Sequence, residues 1–220
     1  MLAEGVRLTI LVAIAAMLVA LALGLIGAGA KLSKSPAARG AANTYTTVIR
    51  GVPELLLILL VYYGVPTLIQ DTAEGFGIDI LIDVNPFVAG FLTIGFIYGA
   101  FATEVYRGAF QAVPKGQIEA AHAVGMSRLL AFRRVVLPQM WRFALPGLGN
   151  VWMVLIKATA LISVIQLPEL TRNADIAARA LHLPFTFYFA ASLLYLAITV
   201  VSMLAQHRAE AWANRGVRRA

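Results

Sequence analysis

The chain has 220 residues, of which 60% are apolar and 13% charged, with a mean hydropathy of +0.80 and no cysteine. Its charged share is about half that of a soluble domain, which excludes a water-exposed globule. The lack of cysteine excludes disulfide staples and thiolate metal sites. The net charge of +7 falls between apolar runs, so it fits the cytoplasmic face of a membrane protein, with no nucleic-acid partner.

Crossing the hydrocarbon takes about 20 apolar residues, and residues 8–30, 50–70, 86–108, 141–166 and 185–206 qualify. The first run exceeds a signal-peptide core and is read as a retained span. The segment after it carries Lys31, Lys34, Arg39 and Arg50 and is expected to be a cytoplasmic loop. The second run opens with "RGVPELLLILLVYYG", where Pro53 is tolerable because a helix start leaves its missing N–H unpaired anyway. Asp71, Glu74, Asp79 and Asp83 follow with no Lys or Arg among them. The third run leads into an Arg-rich segment, and the fourth contains Pro146 and Gly147, which should kink or loosen its beginning. A loop of mixed charge, with Glu169, Arg172, Asp175 and Arg179, is expected after the fourth run, and Arg208, Arg215, Arg218 and Arg219 follow the fifth. Positive segments alternate with acidic or mixed ones. The expected fold is therefore an all-α membrane protein of five transmembrane helices in one domain, N-terminus outside and C-terminus inside.

The segment from 111 to 140 is the least apolar part of the chain's centre. A short helix should begin at Lys115-Gly116 with Glu119 in its first turn, favoured by the helix dipole. Gly125 suits a left-handed C-terminal cap, and Ser127 can cap the next helix. Pro138 should end or redirect that second helix. The expectation is a two-helix elbow projecting on the cytoplasmic side, a shape that makes sense if a partner docks on it.

Glu119-Ala120-Ala121, then three residues, Gly125, nine residues, and Val135-Val136-Leu137-Pro138 resembles the loop signature of ABC importer permeases. Val135 departs mildly from that family's isoleucine. The stretches "IRGVPELLLILLVYYG", "GFIYGAFATEVYRGAFQAVPKGQIEAA" and "FALPGLGNVWMVLIKATALISVI" resemble the polar amino-acid branch, nearest the permeases for histidine, lysine, arginine, ornithine and opines. The N-terminus departs: family members carry further residues before "EGVRLTI". The resemblance implies a permease subunit in the bacterial inner membrane that is not itself an enzyme. Two ATP-binding cassette subunits would hold ATP and Mg, leaving no cofactor in this chain. A second permease would complete the path, and a periplasmic solute-binding protein would deliver a basic amino acid or opine. It also makes Glu119, Ala120, Ala121, Gly125, Leu137 and Pro138 the residues that couple to the ATPase. A lone glutamate there would otherwise be only a solvated one.

Other residues have two readings. Glu104 and Arg107 are three apart on one helix face and can pair, either as a structural ion pair or as part of a gate or substrate path. Lys157 lies well inside the fourth run, where a lysine costs about 2.5–3.5 kcal/mol on insertion scales. It should therefore face the protein interior or water. Relatives share the Lys-x-Thr pattern of Lys157 and Thr159. Asn150 is followed by Val151 where relatives often carry a carboxylate, so the acid for a cationic solute is expected from a non-identical partner permease. "GAGAKLSKS" imitates a phosphate-binding loop but lacks its Gly-Lys pair. An ion-coupled secondary transporter of small solutes is the alternative, and it has no use for a docking elbow.

Overall fold

In hydrocarbon only a helix or a closed barrel satisfies every backbone N–H and C=O. The computed structural model, which describes residues 1–214, takes the helical solution. Its helices are α1 (Leu2–Leu32), α2 (Pro36–Gly51), α3 (Glu54–Gly75), α4 (Pro86–Ala112), α5 (Lys115–Ala123), α6 (Arg128–Ile165), α7 (Leu170–Leu181) and α8 (Pro184–Ala213). Five of them, α1, α3, α4, α6 and α8, are long and apolar enough to cross a membrane. They overrun the expected spans at most ends because a helix continues past the apolar stretch until a cap stops it. Arg215, Arg218 and Arg219 of the basic tail lie outside the described residues.

Starts are set by proline at the first helical position behind a capping side chain. Ser35 Oγ accepts from the Ala38 N–H ahead of Pro36. Asn85 Oδ1 accepts from the N–H groups of Phe87 and Val88 ahead of Pro86.

Small residues bring α1 and α4 together. Ala13, Ala16, Ala20, Gly24 and Gly27 line the buried face of α1. Gly95, Gly99, Ala102 and Thr103 do so on α4. A Cβ added at Gly95 would lie 2.6 Å from Val19 Cβ, and one at Gly24 2.6 Å from Ala102 Cβ. No side chain larger than hydrogen fits at either crossing. Around this pair the main core gathers Ile49 of α2, Ile58 of α3, and Val151, Leu155, Ile156 and Ile162 of α6. A second cluster, with Tyr106, Ala109, Val113, Met140 and Leu148, joins α4 to the first half of α6. In contrast, α8 buries only Ala191.

Three local expectations are corrected. The segment carrying Arg39 and Arg50 is largely the helix α2, not a loop, and Lys31 belongs to the last turn of α1. Glu119 is the fifth residue of α5, beyond its first turn. The helix that begins after Ser127 neither stays short nor ends at Pro138, but runs on unbroken as α6. It does so by widening into a π-turn at Phe132–Val136, where the Leu137 N–H bonds the Phe132 carbonyl. The wide turn relieves the clash that a proline ring makes with the carbonyl four residues back. Past Pro146 the helix also stays continuous. The adjacent Gly147 lets Val105 of α4 approach closely.

Candidate functional site

The bend between α5 and α6 is built from its turn residues. Gly125 has φ +82°, the left-handed conformation in which an L side chain is strained. The Met126 N–H bonds the Ala121 carbonyl at 3.0 Å, and the Gly125 N–H bonds the His122 carbonyl at 2.9 Å. These two bonds close the end of α5 in the 6→1 pattern of a Schellman cap. Ser127 Oγ accepts from the Leu130 N–H at 3.4 Å to start α6. Gln139 Nε2 donates to Gln117 Oε1 at 3.3 Å, tying the two arms together. Ala121 is buried against the bundle, while Glu119, Ala120, Gly125 and Pro138 are exposed. The apex presents Val124 at 74% and Leu129 at 77% exposure, and Leu137 is partly exposed below them. Large apolar residues held open on a rigid turn are a surface that a partner can cover.

Glu104 and Arg107 do pair, with Arg107 Nε donating to Glu104 Oε2 at 2.9 Å. A third member comes from 73 residues away, since Lys31 Nζ binds Glu104 Oε1 and also donates to Thr46 Oγ1 at 2.6 Å. Arg107 Nη1 reaches Gln111 Oε1 at 2.9 Å. Lys31 thus ties α1 to α2 through Thr46 and to α4 through Glu104. Sequence spacing exposes only the Glu104–Arg107 half of this clamp.

On α6, each residue advances the helix by about 100°, and that rotation separates the other candidates. Asn150 and Lys157, seven apart, share an exposed face. Thr159 points the other way, fully buried, and donates to the Ile156 carbonyl at 2.7 Å. Val151 is also in the core, at 6% exposure. A carboxylate at 151 would be directed into the bundle and not onto the face of Asn150, so the identity of Val151 says nothing about a missing acid. Lys157 instead looks into a crevice against α8, with Ser192, Tyr195 and Thr199 opposite.

Sequence reasoning missed Glu169. It read the segment after the fourth span as a mixed-charge loop, whereas that segment holds α7 with Glu169 as its fully buried cap. Its carboxylate accepts from the N–H groups of Thr171 and Arg172, both at 2.8 Å, and from the Tyr195 hydroxyl at 3.1 Å. Thr9 of α1 lies at 3.4 Å. Burial pushes the Glu169 carboxyl above its ordinary value, with the two backbone N–H groups opposing. Nearby Asp175 is held below its ordinary value by hydrogen bonds from Arg179 at 2.9 Å and the Tyr188 hydroxyl at 2.8 Å. Glutamate is not among the favoured N-cap residues, so the sequence does not announce this cap, and its burial involves Thr9, 160 residues away.

Residues 7–215 match the model of the "Binding-protein-dependent transport system inner membrane component" family. The histidine/lysine/arginine/ornithine transport system permease protein HisQ of Salmonella typhimurium is 46% identical over 199 residues, 90% of this chain and 87% of that protein. The nopaline transport system permease protein NocQ of Agrobacterium fabrum is 48% identical over 218 residues, 99% of this chain and 92% of that protein. The crystal structure of an amino acid ABC transporter with histidines superposes with a TM-score of 0.80 at 32% identity, covering 95% of this chain and 92% of that one. The match spans nearly the whole chain, bend and exposed α6 face included: the chain belongs to the family of binding-protein-dependent transport system inner membrane components.

Proposed function

We propose that this permease subunit imports basic amino acids or opines across the bacterial inner membrane. Its N-terminus would lie outside, with the bend at Gly125 docked on a cytoplasmic ATPase. Family membership makes it a transport subunit and not an enzyme, with ATP hydrolysis on a separate subunit. The ion-coupled secondary transporter is thereby set aside. The observation that carries the docking assignment is the rigid, capped turn at Gly125 with Val124 and Leu129 held open beside it. Two ATPase subunits, each binding ATP and Mg, engage two such bends, and a periplasmic binding protein supplies the solute. The solute class follows the named specificities of HisQ and NocQ.

The second permease is a non-identical homologue. Asn150 and Lys157 on an exposed membrane face need a protein or aqueous neighbour rather than lipid. A twofold copy would set two Lys157 charges on equivalent faces of one path, which is unfavourable at low dielectric.

Reconstitution in liposomes with the ATPase, the binding protein and the second permease should give ATP-dependent arginine uptake, and omitting the second permease should abolish it. A Gly125→Val variant, strained only by its φ, should insert normally yet import about tenfold more slowly. Normal import with normal ATP use by that variant would remove the docking role. For orientation, a lone Cys replacing Glu74 should react with an impermeant thiol reagent from outside and one replacing Arg128 should not. The reverse pattern would invert the topology.

A further inference from the structure

The α6–α8 face carries more polar chemistry than Lys157. Below the Lys157 crevice a second one, of about 440 Å³, opens between the same two helices. Asn150, Met153, Met203, Gln206, His207 and Glu210 line it. On α8 the residues Ser192, Tyr195, Thr199, Gln206 and Glu210, with Met203 between them, recur every three or four positions, so one stripe of an otherwise apolar span is largely polar. The stripe ends in a carboxylate in the last helical turn, where negative charge opposes the helix dipole. The helix dipole disfavours an acid at this place, four residues beyond the apolar run that ends at 206.

The site is also built. A Cβ at Gly149 would collide with the Gln206 amide, so glycine there lets Gln206 seat against α6. From that seat Gln206 Nε2 donates to Glu210 Oε1 at 2.8 Å and faces the Pro146 carbonyl at 3.5 Å. One carboxylate oxygen is thereby oriented, and the other has no hydrogen-bond partner among the described residues. Among the described residues Glu210 makes no ion pair. Thr199, beside Lys157, stands about 16 Å from Glu210 along the helix at 1.5 Å per residue. One amino acid cannot touch both ends at once.

We infer that the crevice of Asn150, His207 and Glu210 is an inner station for the cationic side chain of the transported solute, a guanidinium or ammonium group, with Glu210 as its counter-charge. Gln206 is a positioning residue, and Gly149 makes room for it. The inference rests on the importer reading and supplies an acid for a cationic solute. That acid lies on this chain itself, one crevice inward of Lys157.

The test uses the whole complex in nanodiscs, without the binding protein, and measures equilibrium binding of labelled arginine and of citrulline, its neutral isostere. Glu210→Gln should weaken arginine binding about tenfold or more and leave citrulline binding unchanged, because only a charged group loses its partner. Glu210→Asp should retain arginine binding within about threefold, and Gly149→Ala, by unseating Gln206, should weaken arginine selectively. Unchanged arginine binding by Glu210→Gln would overturn the proposal. So would an equal loss for both ligands, the mark of a merely structural role. A wild-type complex that imports arginine with its binding protein yet binds none in nanodiscs would also overturn it. Failure of the wild-type complex to import arginine at all would strike the importer reading instead.

Discussion

The α1–α4 pair and the α8 helix are both apolar membrane spans, yet they solve opposite problems. The first pair is packed on itself through glycine and alanine, with Val12, Ala13, Ala16 and Ala20 wholly buried. The second buries only Ala191 and leaves Leu193, Leu196, Val201 and Leu204 half or more exposed. Hydrophobicity alone does not distinguish them. Side-chain size does: small residues let helix backbones touch where no water-driven force pulls helices together. A span of large side chains and one polar stripe waits for lipid on one side and a functional neighbour on the other.

The largest test of that contrast is Gly95→Val, which forces a side chain into Val19 and the Ala16 carbonyl. Overpacking there should cost about 3 kcal/mol or more, read as loss of the folded, detergent-stable monomer. An intact α1–α4 pair in that variant would show the contact to be looser than described.

Next is the clamp. Lys31→Met leaves Glu104 with Arg107 alone, and this partly exposed carboxylate should lose about 2 kcal/mol of support. Thermal unfolding of Lys31→Met should fall below that of an Arg107→Met variant, because Lys31 is the more buried partner.

A smaller effect is the pH dependence of Glu169. Its folded-state value is raised by burial, so the folded state binds the proton more tightly than the unfolded one. Stability from this group is therefore fully present at acid pH and declines as pH rises from the ordinary glutamate range through the raised value. Glu169→Gln should flatten that decline in a melting-temperature profile. A profile that rises over the same range in the wild type would reverse the assigned cause.

The smallest effect belongs to α8. Leu196→Ala, on its exposed face, should change stability by about 0.5 kcal/mol or less. A loss comparable to that of Gly95→Val would mean that Leu196 packs against a neighbouring helix and does not face outward.

The spans were legible in the sequence because about 20 apolar residues in a row have one reading in a bilayer. The bend was legible because Gly125 and Ser127 each have a specific backbone task. What escaped depended on rotation or on distance along the chain. Asn150 and Val151 are neighbours in sequence, but about 100° of helix turn sends one outward and the other into the core. Lys31 read as a loop cation because Glu104, its partner, is 73 residues on. The helix α2, with Arg39 and Arg50 among small residues, has too little apolar length to announce itself as a span.

The unbroken run of α6 has a mechanical consequence. Its 38 residues make a helix on the order of 55 Å long at 1.5 Å per residue, with the π-turn at Phe132–Val136 and Pro146 as the places where it can bend. A tilt of about 5° applied at its Gly125 end would move the far end by about 5 Å, close to one helical pitch. Asn150 and Lys157 ride on that helix at successive radii, so Lys157 sweeps the wider arc. If a partner docks at the apex as proposed, the span itself would carry its push toward Asn150 and Lys157, as far as those bend points leave it straight.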